Sequence, residues 1–347
     1  MEETTLAGFL SGFATAFFAL HAYQLFRRNN ASRLQLVLAC IFVQWALFNL
    51  KDFLLTLHGY DNVNAQNIIT LIDGLSLIGY TCLLYELITS NGWASWRKVG
   101  IMILGYLPFF IVYNLYPKNI VVYSYIICLF IAGTIIFLLW LRRASIYVRY
   151  IRANFSNIDG IDISWLRVVA WFFITCQLLW VFTVVVRSPW TDSLYYLLSI
   201  VLWQITLEYV LHQQPVSIEP QDAIEETEAQ AINREYVFAQ TLPTLIEEEQ
   251  LYLNPTLSIK DLATHIGTNR TYLSDYFVHS LNTTFYDYIN GLRIERKSVP
   301  LMKQHTDYTL ERIASESGFQ SISTFRRAFL KQKGVTPSKY RKTIINH

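Results

Sequence analysis

Seven stretches of this 347-residue chain are apolar for about as long as a lipid bilayer is thick, and nothing else narrows its fold so far. A helix rises ~1.5 Å per residue, so crossing a hydrocarbon core of ~30 Å takes about 20 apolar residues. The windows that meet this are Leu6–Phe26, Leu34–Leu57, Asn67–Thr89, Val99–Tyr116, Asn119–Leu141, Ile163–Val186 and Trp190–His212. Lipid offers a backbone no hydrogen-bond partner, so runs of this length predict helices. Composition agrees, since 53% hydrophobic and 16% charged residues is far from the balance of a water-soluble chain. Met1-Glu2-Glu3 leads straight into the first window with no basic leader or small-residue cleavage site, which reads as a retained span.

The connections carry their positive charge unevenly. Arg27, Arg28, Arg33, Arg97, Lys98, Arg142, Arg143, Arg149 and Arg152 lie in the first, third and fifth, whereas the second, fourth and sixth hold only Lys118 and Arg187. Basic residues stay on the cytoplasmic side, so the N-terminus is expected outside and the C-terminus in the cytoplasm. The four cysteines, Cys40, Cys82, Cys128 and Cys176, lie in apolar runs without metal-ligand spacing and read as packing residues.

Beyond His212 the composition changes. Gln213–Gln250 holds nine acidic residues, among them Glu225, Glu226, Glu228 and Glu247-Glu248-Glu249, and the single basic Arg234. Such a run reads first as a hydrated connection. A helical stalk is the alternative, with Ile232, Tyr236, Val237, Ala239, Leu242 and Leu245 at a partly helical period that Pro243 interrupts. Residues 251–347 then carry fourteen Lys and Arg against seven Asp and Glu, a net of +7.

This basic region holds a pattern that occurs twice. A helix-turn-helix needs a small residue where its helices cross, a glycine-like turn and an apolar residue closing the core. In Ile259–Leu273 these are Ala263, Gly267 and Leu273, with Ser258 and Thr268 placed as helix N-caps. Fifty-one positions further on, Ile313-Ala314 through Gly318-Phe319 repeats it, followed by Gln320–Phe329. Tyr272, Phe277, Phe319, Phe325 and Phe329 fall at helical spacing and are expected in the two cores rather than stacked on bases.

With Tyr288-Ile289-Asn290-Gly291-Leu292-Arg293-Ile294-Glu295 between the repeats, and Phe325–Phe329 leading to Gly334-Val335-Thr336-Pro337-Ser338-Lys339-Tyr340-Arg341 after them, Leu251–Lys342 resembles the AraC/XylS family of transcriptional regulators. The resemblance covers a little over a quarter of the chain. It implies two helix-turn-helix units joined by a helix, reading successive major grooves about 34 Å apart on double-stranded DNA. Arg296-Lys297-Ser298-Val299-Pro300 departs from the family pattern. Proline removes a helical hydrogen bond, so the connecting helix is expected to end before Pro300 or to set the units at an altered angle.

The expected architecture is therefore all-α. A seven-helix transmembrane domain (1–212) precedes an acidic linker (213–250) and an AraC-type double helix-turn-helix domain (251–347). Asn269, Arg270, Ser274, Gln320, Ser321 and Ser323 are the candidates for base contacts, because Arg pairs with guanine, Asn and Gln with adenine, and hydroxyls with either. Arg326, Arg327, Lys331 and Lys339 are the candidates for phosphate contacts. Among charges inside the spans, Lys51, Asp52, Glu86, Arg167 and Glu208 can reach an interface, but Asp73 lies about six residues into the third window. Asp73 with Lys51 and Asp52 is thus a candidate ligand pocket.

These features point to a membrane-bound, sequence-specific DNA-binding regulator in a bacterial inner membrane, a one-component sensor of a small-molecule or envelope signal. Binding to two half-sites suggests a homodimer. The rival is a transporter or channel with a regulatory basic tail, which predicts broken helices at matching positions, and only Pro108 suggests one. No HExxH, GxSxG or phosphate-binding glycine loop is present, and His21 has no ligand set around it, so neither an enzyme nor a metal or other cofactor is expected.

Overall fold

The computed structural model describes residues 2–58, 63–89, 94–159, 161–213 and 236–345. They are helical with no strand among them, as expected for an all-α chain, and they divide into two units. One comprises the described residues up to 144 with 163–213, the other 145–162 with 236–345.

Eight helices build the first unit: α1 (Glu2–Arg27), α2 (Arg33–His58), α3 (Val63–Asp73), α4 (Ser76–Glu86), α5 (Trp96–Leu115), α6 (Asn119–Asn154), α7 (Ser164–Val186) and α8 (Pro189–His212). Taking α3 and α4 together, seven spans are long and apolar enough to cross a membrane. Helix α1 packs on α2 and α8, α2 on α4, and α7 on α8. At their centre Trp203 lies 5.6 Å from Phe42 and from Trp45 and is stacked on Tyr80 at 5.2 Å, which in turn touches Phe173. Large apolar residues also face outward, among them Phe9, Leu47, Leu104, Ile127, Trp171 and Val185. Helices apolar all round suit lipid rather than water. Of the cysteines, Cys82 and Cys176 are buried, whereas Cys40 and Cys128 face outward.

The third window is not one helix. It breaks at Gly74-Leu75, where Leu75 N–H turns back to the Ile72 carbonyl. The Tyr125 hydroxyl donates to the Leu71 carbonyl at 2.7 Å, and the Gln44 amide to the Leu75 carbonyl at 2.9 Å. A Cβ on Gly74 would collide with that Tyr125 hydroxyl. The kink thus arises where side chains enter the backbone ladder. Pro108, by contrast, sits inside an unbroken α5. Glu86 also departs from expectation: it is buried, receiving Arg33 Nε at 2.5 Å and Ala94 N–H at 2.7 Å, whereas Arg167 and Glu208 are exposed.

In the second unit the last turns of α6 and the residues after it join α9 (Leu242–Glu248), α10 (Ile259–Ile266), α11 (Arg270–Asp275), α12 (Phe285–Leu292), α13 (Val299–Gln304), α14 (Leu310–Glu316), α15 (Ile322–Lys333) and α16 (Pro337–Ile345). Two cores form. One gathers Leu262, Ala263, Leu273, Phe277, Phe285 and Ile289, the other Ile294, Met302, Ile313, Phe319, Phe325 and Phe329. Of the five aromatic residues expected there, Tyr272 alone is exposed. Leu242 and Ile246, from the acidic stretch, are wholly buried in the first core. Residues 236–250 form a single 3₁₀ turn and α9 rather than a continuous stalk; Glu225, Glu226, Glu228, Ile232 and Arg234 lie outside the described residues.

The connector does not stop at Pro300. Between α12 and α13 the chain widens into a π turn over Arg293–Ser298, where Val299 N–H bonds to the Ile294 carbonyl five residues back. The Ser298 hydroxyl adds a bond to the Arg293 carbonyl at 3.0 Å. This wider turn places Pro300 at the start of a new α-turn, where a missing N–H costs nothing within the helix.

Candidate nucleic-acid interface

Local chemistry fixes both helix-turn-helix units. Helix α10 starts at a reciprocal capping box between Ser258 and Asp261 and ends at Gly267, whose φ of 77° is left-handed. The cap of α11 is Asn269 rather than Thr268: Asn269 is the extended residue, and its Oδ1 accepts Tyr272 N–H at 2.7 Å. In the second unit Thr309 caps α14 and Ser321 caps α15. Between them Gly318 has φ 83°, and a Cβ there would sit 2.6 Å from the Leu253 carbonyl oxygen. That turn tolerates glycine for two reasons, conformation and space.

These caps place the candidate base-contacting residues around the starts of α11 and α15. Asn269 and Ser321 use one side-chain oxygen as a cap acceptor. Ser274 is half-buried on α11, and Ser323 is exposed in the first turn of α15. Arg270 donates toward Tyr150 Oη at 3.4 Å and Asn154 Oδ1 at 3.3 Å. Gln320 accepts from Asn157 Nδ2.

The candidate phosphate contacts are less alike than their sequence suggests. Lys331 reaches Asp287 at 2.7 Å, and Arg326 stands 3.7 Å from Glu311. Arg327 lies 3.3 Å from Asp162 and 3.8 Å from Asp159. Lys339 is exposed on α16. The Thr324 hydroxyl, also on α15, donates to Asp159. Four residues on or just before α11 and α15, namely Arg270, Gln320, Thr324 and Arg327, therefore touch residues 150–162, a stretch whose Arg152 suggested only membrane orientation.

The same stretch enters the unit's interior through Arg293. This arginine is fully buried. It donates to the Tyr252 and Asn254 carbonyls, to Asn290 Oδ1, and to both the carbonyl and hydroxyl oxygens of Ser156. Burial pulls its pKa down to about 10, which leaves it charged at neutral pH. A buried cation is tolerated only when its donors are satisfied, and here all three nitrogens are. The signal in the sequence was a charge set between the apolar Leu292 and Ile294.

In the first unit Lys51 Nζ lies 2.7 Å from Asp52 and 2.8 Å from Asp73, so the three residues expected together do meet. Asp52 and Asp73 line a cavity of about 530 Å³ shared with Trp45, Trp180, Arg187, Asp192 and Tyr196. His21 bonds to the Phe17 carbonyl one turn back. No cluster of His, Cys, Asp or Glu among the described residues has metal-binding geometry.

A family profile described as a helix-turn-helix domain matches residues 262–343. An uncharacterized HTH-type transcriptional regulator of Staphylococcus aureus (strain COL) is 34% identical over 92 residues, which is 26% of this chain and 12% of that protein. The melibiose operon regulatory protein of Escherichia coli (strain K12) is 35% identical over 86 residues, 25% of this chain and 28% of its own length. The chain thus spans about an eighth to a quarter of these curated relatives. No solved structure matches it.

Proposed function

From an AraC-type helix-turn-helix domain at the C-terminus of a chain with seven membrane-length apolar helices, we propose a membrane-held transcriptional regulator that binds specific double-stranded DNA. The observation that carries this reading is the tandem construction of the second unit. Two capped helix-turn-helix cores, each with its own aromatic centre, are joined by one helical connector. Such pairs read adjacent major grooves.

The finer reading is a one-component sensor in a bacterial inner membrane, N-terminus outside and DNA-binding domain in the cytoplasm. The nine-against-two distribution of basic residues supports that orientation. The cavity beside Asp73, Asp52 and Lys51 is the input site we infer for a small-molecule signal, because ionisable residues at membrane depth are costly and are retained where they serve a pathway or a ligand. Two half-sites favour a homodimer.

Genome-wide DNA crosslinking of the full chain, beside an Arg270→Ala/Arg326→Ala double variant, tests the proposal. Discrete sites lost in the variant support it and supply the operator. Absence of sites across several growth conditions returns the chain to the transporter reading.

A further inference from the structure

The segment that touches the recognition helices is not a neutral neighbour. Asp159 and Asp162 lie 3.8 and 3.3 Å from Arg327, a candidate phosphate contact, and Thr324 donates to Asp159 as a hydroxyl donates to a phosphate oxygen. On the same segment Asn157 holds Gln320, while Tyr150 and Asn154 hold Arg270. A base-contact candidate from each helix-turn-helix and a phosphate-contact candidate are therefore engaged at once.

We propose that residues 145–162 form an autoinhibitory cover that occupies the DNA-binding face, with Asp159 and Asp162 standing where backbone phosphates would bind. The proposal rests on the reading of α11 and α15 as DNA-binding helices. Its physical basis is competition: Arg327 cannot pair with these carboxylates and with a phosphate in the same geometry.

Each contact is weak by itself. Partly exposed ion pairs contribute little, and both aspartates are only partly buried. Tethering compensates, because an occupant on the same chain acts at an effective concentration of about millimolar. The cover is also anchored. Ser156 N–H bonds to the Leu257 carbonyl at 3.2 Å, Asn290 donates to the Ser156 carbonyl at 3.1 Å, and Ile158 and Ile161 are buried. Anchor and mask are separate groups, so the acidic residues can be changed without disturbing Ser156 and Arg293.

The cover is continuous with a span. Helix α6 runs unbroken from Asn119 to Asn154, and its last turns already belong to the DNA-binding unit. A displacement of this one helix would carry Tyr150 and Asn154 with it, which gives the regulator a direct mechanical input.

The test uses the full chain in lipid nanodiscs and a fluorescein-labelled duplex of mixed sequence, titrated across salt concentrations. Asp159→Asn/Asp162→Asn is expected to bind about tenfold more tightly. It should also show a salt slope steeper by about one, as Arg327 becomes available to a phosphate. In a background with the four cysteines replaced by serine, Asn157→Cys/Gln320→Cys joined by a cleavable bis-maleimide is expected to bind less tightly than the same double-cysteine protein before crosslinking, and to return to that protein's own level on cleavage. Unchanged or weaker binding by the aspartate variant, together with binding that survives the crosslink, overturns the cover but leaves the DNA-binding reading intact. No binding by any form, cleaved or unlocked, overturns both.

Discussion

Arg293 holds Ser156 by both of that residue's oxygens, each at 3.1 Å, across 137 positions of chain. The bond pair ties the connector between the two helix-turn-helix units to residues that follow the fifth span. Arg293→Met would leave the Tyr252 and Asn254 carbonyls without this buried donor, while Asn290 still serves the Ser156 carbonyl, and is expected to destabilise the unit by about 2–5 kcal/mol. Ser156→Ala, which removes one hydroxyl, should cost about 1–2 kcal/mol. Hydrogen exchange of the full chain in nanodiscs would show the difference as graded loss of protection over residues 236–345.

Two glycines separate strain from collision. Gly267 and Gly318 both have left-handed φ, but a Cβ at Gly267 meets nothing within 4 Å, whereas one at Gly318 meets Leu253 backbone. Gly267→Ala should cost only the conformational term, about 1–2 kcal/mol. Gly318→Ala is expected to exceed it, because the neighbouring atoms are backbone and cannot rotate away. Denaturant titration followed by tyrosine and tryptophan fluorescence, with proteolysis to localise the change, checks the order.

Base and phosphate contacts differ in what salt does to them. Lys339→Ala should weaken binding to all duplexes alike and reduce the salt slope by about 0.9. Ser323→Ala should leave that slope unchanged and alter preference at one position of the recovered operator. Equal effects from both variants would remove these residues from their separate roles.

In the first unit, Asp73→Asn keeps the shape of the cavity while removing one of the two carboxylates on Lys51. The expected outcome is loss of the signal-dependent transcriptional response, with protein abundance and basal DNA occupancy retained. A response to candidate stimuli equal to that of the parent would exclude Asp73 from the input site. Lys51→Met is expected to be harsher and to lower abundance, since it leaves two carboxylates close together without their cation.

What the sequence revealed depended on how locally each feature is encoded. Span length and tandem turns are short-range properties, so seven spans and both helix-turn-helix cores were visible from residue patterns. The Asp73–Lys51 pair was also reachable, because helical rise alone sets both at similar depth. Asn269 was mistaken for a residue after the cap because Thr268 can cap equally well, and only the backbone angle decides between them. The π turn before Pro300 could not be read, since nothing in Arg293–Ser298 encodes an extra residue per turn. Least visible were the contacts of Tyr150, Asn154, Asn157, Asp159 and Asp162, whose partners lie more than a hundred positions away and whose charge pattern fitted an ordinary cytoplasmic connection.

The joint at Gly74 divides a span into two rods of eleven residues, each about 16 Å long and too short to cross the hydrocarbon core alone. Backbone bonds from Gly74 N–H to Thr70 and from Leu75 N–H to Ile72 carry across it, and a hydroxyl from Tyr125 and an amide from Gln44 take up carbonyls at the break. Exchanging those two side-chain bonds alone is worth on the order of 1–3 kcal/mol. A solute that favoured one arrangement by only tenfold to a hundredfold in affinity would supply that difference. Asp73, the last residue of the first rod, places a carboxylate at the break itself, so an ionic guest that paired with it would act where the span's two rods meet.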